Sequence, residues 1–235
     1  MAKIKTAYYC QKCGTQYPQW HGQCKNCGEW NTLVEEIVEK KSSHYDILGS
    51  GKQKIINITE VETGTEIRLK TVSEELNRVL GGGIVLGSVI LIGGEPGIGK
   101  STLLLQLALK MKKKILYVSG EESASQIKMR ADRITDIQNP NCFLYTETSI
   151  EKILMEAKNL QPDLMIVDSI QTLQSQLLES AAGTVSQIRE CSGELIKFAK
   201  EKNIPVILVG HITKDGHIAG PKVLEHMVDV VLNFD

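Results

Sequence analysis

The sequence predicts an α/β protein: a mainly parallel, doubly wound sheet bearing a phosphate-binding loop, preceded by a small cysteine-held ribbon. Three observations predict it. Short apolar runs alternate with helical patterns from Val89 onward, one of those runs feeds directly into a glycine-rich loop, and four of the six cysteines form two identical pairs near the start. Alternating strand and helix patterns are the signature of a parallel sheet covered on both faces.

Length and composition set the frame. With 235 residues, 42% hydrophobic and 23% charged, the chain can bury one sizeable core and a small satellite, and disorder as a whole is excluded. The 27 Lys and Arg against 28 Asp and Glu leave a formal charge of −1, so any nucleic-acid contact must come from local patches. No apolar run is long enough to cross a bilayer, and Met1–Thr6 shows no apolar segment behind its lysines. A cytoplasmic protein without a membrane partner is expected. Three units are predicted: a ribbon over 1–34, a flexible tether over 35–55 and an α/β core over 56–235.

The ribbon is read from Cys10-Gln11-Lys12-Cys13-Gly14 and Cys24-Lys25-Asn26-Cys27-Gly28. Two residues between thiols let both sulfurs reach one tetrahedral ion, and the glycine permits the tight turn that follows. Cys10, Cys13, Cys24 and Cys27 therefore make a closed four-thiolate Zn²⁺ site, structural in type because no ligand position stays open. The segment between the pairs is too short and polar to form a core, so the metal must supply most of the folding energy. His21 as a substitute ligand and a disulfide pairing are the alternatives. Residues 1–30 carry four lysines (Lys3, Lys5, Lys12, Lys25) against Glu29 alone, beside Tyr8, Tyr9, Trp20 and Trp30. That pattern suits a nucleic-acid or protein contact; the plainer expectation is that the aromatics cover the metal site. Glutamates, lysines, Ser42-Ser43 and Gly49-Ser50-Gly51 then give the composition of a tether.

In the core, Val89-Ile90-Leu91-Ile92-Gly93 reads as a central strand. It runs into Gly94-Glu95-Pro96-Gly97-Ile98-Gly99-Lys100-Ser101-Thr102, a full match to G-x-x-x-x-G-K-[ST], and then into an apolar helix. Backbone N–H groups of such a loop, with the helix N-terminus behind them, cradle phosphate oxygens. Lys100 is placed to reach the β- and γ-phosphates and Ser101 to hold Mg²⁺. Lys112-Lys113-Lys114 is expected to be the solvated end of the helix after the loop.

Ile115–Ser119 is the next strand, and Glu121-Glu122 sits where it runs out. A carboxylate at the end of the strand beside the loop strand would position water, so Glu121 is the candidate general base, with Glu122 second. The alternative is two solvated acids opening a helix over Glu122–Ala131. Thr148-Ser149-Ile150-Glu151 has capping-box form and predicts a helix start. Leu164–Val167 closing on Asp168 is the form of a strand whose terminal acid orients Mg²⁺. A helix over about Val185–Lys200 and a strand over Pro205–Gly210 follow, and His211 at that strand's end is a candidate γ-phosphate sensor.

Several segments together resemble the RadA (Sms) family of bacterial DNA-repair proteins: Tyr9–Cys10 through Cys27–Thr32, Glu75–Gly83, Gly93–Thr102 and Gly220–Asp229. The resemblance spans nearly the whole chain apart from the tether. It implies a RecA-like ATPase core that hydrolyses ATP in recombinational repair and drives branch migration on single-stranded or branched DNA, as a homo-hexameric ring. A recombinase or a replicative helicase is the implied protein partner. By the same analogy Glu121 is the water-activating acid and His211 the γ-phosphate sensor. The family continues with a Lys-Asn-Arg-Phe-Gly motif and a Lon-protease-like domain, so the resemblance implies a C-terminally shortened chain. Asn77 stands where the family usually has Asp, and Leu69–Ser73 departs from its usual segment. Family rings line their pore with the loops near Gln171–Gly183 and Thr213–Lys222. The first holds no Lys or Arg, whereas the second offers Lys214, His217 and Lys222 as DNA contacts.

Two other function classes share these motifs. One is an ATP-gated assembly or helicase-loading module in which turnover is incidental. The other is a small-molecule kinase, which needs an arginine-rich lid; Arg130, Arg133 and Arg189 are too scattered to make one.

Overall fold

The structure, a computed structural model, describes residues 5–38, 57, 59, 68–134, 139–211 and 223–234. The N-terminal unit is an antiparallel sheet of β1 (Lys5–Cys10), β2 (Gln16–Tyr17) and β3 (Leu33–Val38) in the order β2-β1-β3. β3 pairs with β1 along its length, Leu33 opposite Cys10 and Val38 opposite Lys5. The ribbon's pairing therefore runs past residue 34 into the span expected to be tether, because β1 offers Glu35–Val38 a ladder of backbone partners. Residues 39–55 lie outside the described residues.

The second unit begins with β4 (Arg68–Leu69), α1 (Glu74–Val79) and β5 (Ile84–Val85), followed by β6 (Val89–Gly93) and α2 (Lys100–Lys110). Next come β7 (Ile115–Ser119), α3 (Ala124–Ile134), β8 (Cys142–Tyr145), α4 (Ile150–Leu160) and β9 (Leu164–Asp168). A single 3-10 turn over Ile170–Thr172, α5 (Val185–Lys202), β10 (Val206–Val209), α6 (Val223–Met227) and β11 (Val230–Asn233) complete it. Six strands form one parallel sheet in the order β11-β6-β10-β9-β7-β8. Every residue of β6, β7, β9 and β10 is buried, as their unbroken apolar runs require of strands covered on both faces.

The two faces divide the strand residues by parity. Val89, Leu91, Val118 and Val167 pack with Ile153 of α4 and Ile188 and Leu195 of α5. Ile90, Ile92, Tyr117 and Ile166 pack with Leu104 and Leu107 of α2 and Ile127 of α3. This is the doubly wound architecture, and it puts the carboxyl ends of β6, β10, β9 and β7 side by side at one edge.

Local expectations are revised at four places. β7 is not beside the loop strand: β10 and β9 stand between them. α3 begins at Ala124, so Glu121 and Glu122 belong to the turn before it. The expected capping box does not form; α4 is capped at Ser149, and Glu151 accepts hydrogen bonds from Ser149 and Ser175 hydroxyls and the Gln176 amide. α2 stops at Lys110, and Lys114 donates to the Leu160 carbonyl, capping α4 and not its own helix.

Asn77 explains itself in the fold. Its amide oxygen accepts from the Thr71 amide at 2.8 Å and the Thr71 hydroxyl at 3.0 Å, while its nitrogen donates to the Thr71 carbonyl at 2.9 Å. An ionised aspartate keeps the two acceptor roles and loses the donor. Asn77→Asp is expected to destabilise the protein by about 1 kcal/mol, read as a lowered urea midpoint at unchanged slope. An unchanged midpoint would show that the amide nitrogen contributes nothing.

Candidate phosphate-binding cleft and metal centre

The glycine-rich loop sits between β6 and α2, against Phe234 just after β11. A Cβ on Gly94 would lie 2.6 Å from the Phe234 carbonyl oxygen, so only glycine lets the loop leave the sheet beside β11. Glu95–Ile98 form an exposed rim, whereas Lys100 is 3% exposed and its Nζ donates to the Gly94 and Glu95 carbonyls, each at 2.7 Å. Burial lowers the Lys100 pKa, and the negative charges of Asp168 and Glu121 oppose it. The ammonium is thus held inside the loop, with backbone N–H groups and α2's N-terminus around it. Ser101 faces the interior edge of the cleft, while Thr102 is exposed.

The neighbouring strand ends supply the acids. Asp168, 5% exposed, accepts the Ser101 hydroxyl on Oδ1 at 3.0 Å and the Tyr117 hydroxyl on Oδ2 at 2.7 Å. A hydroxyl and a carboxylate at this separation form a hard-oxygen pair of the kind Mg²⁺ takes, so the donor set fits that ion. Burial pushes the Tyr117 phenol well above its ordinary pKa, and Asp168's charge adds to the effect, so the phenol keeps its proton.

Glu121 reaches the cleft from the end of β7 although two strands separate β7 from β6. Its Oε1 accepts from His211 Nε2 at 3.1 Å and from the Ser169 hydroxyl. The His211 hydrogen bond holds its pKa below the usual carboxylate value; burial opposes this, and Ser169 and the charge of Lys100 reinforce it. Glu122 turns elsewhere and pairs with Arg130 at 2.9 Å. Neither acid is merely a solvated helix opener. The structure thus brings Lys100, Ser101, Asp168, Glu121 and His211 to one sheet edge. Lys214, His217 and Lys222 lie outside the described residues. In the Gln171–Gly183 loop, Gln187 of α5 donates to the carbonyls of Ser175, Leu178 and Ser180 and accepts from the Ser175 amide, fastening the loop to the core.

Sequence reasoning did not single out Tyr117 or Ser169. The signal for Tyr117 was present: a phenol in the middle of a buried, mostly aliphatic strand must find a partner for its hydroxyl. Ser169 carried no comparable signal, since nothing local tells whether a serine after a strand faces the cleft.

In the ribbon, the four cysteine sulfurs lie within 4.8 Å of one another. Cys10 and Cys27 sulfurs are 3.6 Å apart and Cys13 and Cys24 sulfurs 3.5 Å apart. A tetrahedral Zn²⁺ with bonds of about 2.3 Å sets sulfurs roughly 3.8 Å apart, so the set fits that ion and is far too open for disulfides near ~2.05 Å. Each knuckle closes with a glycine amide on the first cysteine's carbonyl, Gly14 to Cys10 and Gly28 to Cys24, both at 2.8 Å and both glycines at positive φ. Hydroxyls of Thr32, Thr15 and Tyr17 stand 3.2–3.3 Å from Cys10, Cys13 and Cys24 sulfurs. Burial opposes ionisation of Cys24, but hydrogen bonds from Tyr17 and the backbone outweigh it and draw its pKa down to about 6. His21 packs edge-on against Tyr17 and is not in the ligand cluster. The aromatics divide: Tyr8 and Tyr17 pack on the cysteine core, whereas Trp20 and Trp30 are 55% and 67% exposed.

Comparison with known proteins agrees with both units. A family model described as "AAA domain" matches residues 58–217, and one described as "Rubredoxin metal binding domain" matches 8–35. DNA repair protein RadA of Bacillus subtilis (strain 168) is 50% identical over 242 residues, covering 100% of this chain and 53% of that protein. RadA of Aquifex aeolicus (strain VF5) is 50% identical, covering 100% of this chain and 52% of its own length. The chain spans about half the length of the curated relatives it matches. Among solved structures, a KaiC-like protein, PH0186 of Pyrococcus horikoshii OT3, superposes with a TM-score of 0.56 at 18% identity, over 72% of this chain and 82% of that one. That likeness shows the fold alone. Among the described residues no helix is long and apolar enough to cross a membrane.

Proposed function

We propose, on the premise that this chain belongs to the AAA-domain family and that its sequence groups with the RadA repair proteins, that it is a DNA-stimulated ATPase of recombinational repair which drives branch migration on single-stranded DNA. The observation that carries the reading is the convergence of five side chains from four chain segments on one cleft: Lys100 and Ser101 after β6, Glu121 after β7, Asp168 at the end of β9 and His211 after β10.

Each group has a role that follows from its position. The loop amides and the Lys100 ammonium bind the triphosphate tail and neutralise its charge. Ser101 and Asp168 would hold Mg²⁺, which when bound draws charge from the phosphate oxygens. Glu121, kept ionised by His211, Ser169 and Lys100, orients the attacking water and accepts its proton. His211 links that carboxylate to the segment beginning at residue 212, so occupancy of the γ-phosphate position can be passed toward Lys214, His217 and Lys222, the proposed DNA contacts. A ring of such subunits on DNA, with a recombinase or replicative helicase as protein partner, completes the proposal. The Cys10–Cys13–Cys24–Cys27 set would hold a structural Zn²⁺.

Glu121→Gln tests this. It keeps the hydrogen-bonding shape and removes the base, so turnover with single-stranded DNA is expected to fall roughly 10²–10⁴-fold while a fluorescent ATP analogue still binds. In an ATP-gated assembly module, partner or subunit association would survive the same substitution and DNA would not raise the parent's turnover. Undiminished hydrolysis by the variant would remove Glu121 from the mechanism.

A further inference from the structure

We infer that Tyr117 is a positioning residue of the cleft: its hydroxyl fixes the Asp168 carboxylate in the orientation that presents Oδ1 to Ser101 and to a divalent cation. The inference rests on the reading of the cleft as a Mg²⁺–nucleotide site and adds a residue to it.

The geometry begins with strand register. β7 and β9 are neighbours, with Tyr117 opposite Ile166 and Ser119 opposite Asp168. Positions 117, 166 and 168 therefore share the face covered by α2 and α3, where Tyr117 and Ile166 pack in the apolar cluster. From its place two residue pairs back from the edge pair Ser119 and Asp168, the long phenol reaches forward, and its hydroxyl donates to Asp168 Oδ2 at 2.7 Å. Tyr117 is 1% exposed and Asp168 5% exposed, so solvent does not compete for this bond.

The consequence is a division of labour between the two carboxylate oxygens. Oδ2 is engaged by a donor rooted in the core, and Oδ1 faces the Ser101 hydroxyl at 3.0 Å. The Tyr117 oxygen also lies 3.5 Å from the Ser101 carbonyl, so one hydroxyl stands between the acid-bearing strand and the first turn of α2. A carboxylate without that anchor can rotate about its last torsion and present either oxygen, and ordering it on ion binding then costs free energy. Partners that fix a ligating group from behind commonly contribute as much to metal affinity as this account needs.

Tyr117→Phe in the full chain removes only the hydroxyl and keeps the ring in its apolar slot. The Mg²⁺ concentration giving half-maximal binding of a fluorescent ATP analogue is expected to rise roughly 10-fold or more, with affinity in excess EDTA unchanged. Turnover is expected to recover toward the parent's at high Mg²⁺. A double-mutant cycle with Asp168→Asn keeps the test independent of any general loss of stability: the two changes should be non-additive on Mg²⁺ dependence. An unaltered Mg²⁺ curve, or additive effects in the cycle, would show Tyr117 to be a packing residue and overturn the inference. Failure of the parent to bind nucleotide with or without Mg²⁺ would remove the underlying reading as well, whereas Mg²⁺-dependent binding indifferent to Tyr117 removes this inference alone.

Discussion

Lys100→Ala is expected to abolish nucleotide binding at concentrations that saturate the parent and to lower turnover roughly 10³-fold or more. The reason lies in where the ammonium is held. It is buried, tied to the Gly94 and Glu95 carbonyls, and already shifted by burial against the pull of Asp168 and Glu121. A phosphate entering the loop meets a charge already held by two carbonyls and largely withdrawn from water, which makes the contact stronger than one with a solvated lysine. Lys100→Arg keeps the charge but carries a planar fork too broad for a slot closed by two carbonyls, and it is expected to rescue little. Binding of a fluorescent ATP analogue and phosphate release measure both. The variant also leaves two loop carbonyls without their donor, at about 1–3 kcal/mol each if solvent does not reach them, so its thermal midpoint is measured alongside. Parent-like binding in Lys100→Ala would remove the loop from the mechanism.

Metal removal is expected to unfold the ribbon and leave the α/β core folded. The ribbon's described core is little more than Cys10, Cys24 and Leu33 with Tyr8 and Tyr17 packed on it. Structural Zn²⁺ in small cysteine sites contributes roughly 10–16 kcal/mol, far more than that packing supplies. Chelation, or Cys24→Ser, should therefore abolish amide protection through β1 and β3 while strands β6, β7, β9 and β10 keep theirs. Hydrogen exchange resolved by segment, with metal content measured in parallel, checks it. Low pH should release the ion as well, because thiolates must take up protons for it to leave. Retained protection in the metal-free ribbon would show that the strand pairing holds by itself.

How much of this was legible beforehand differs by element. The loop, the Asp168 strand and the cysteine pairs were readable because their chemistry needs particular residue types at fixed spacing, within one strand–turn–helix or one knuckle. Helix ends were less so: Ser149, not Thr148, takes the N-cap position of α4 with its hydroxyl turned to Glu151, and Lys114 caps a helix whose last residue lies 46 positions away in sequence. Those outcomes depend on which carbonyls tertiary packing leaves open. The exposure of Trp20 and Trp30 likewise could not be read from composition, since Tyr8 and Tyr17 compete for the same small core.

By itself, then, the order of residues determined the fold class, the glycine-rich loop between β6 and α2 and the cluster of four cysteines, because each is written in local periodicity or short spacing. Only the tertiary structure decided that β10 and β9 separate β6 from β7, that Glu121 nonetheless meets His211 and Ser169, and that Tyr117 holds Asp168. These are meetings between residues from 48 to 90 positions apart. Strand order and side-chain parity across a sheet bring them about, and both are settled by burying two apolar faces at once.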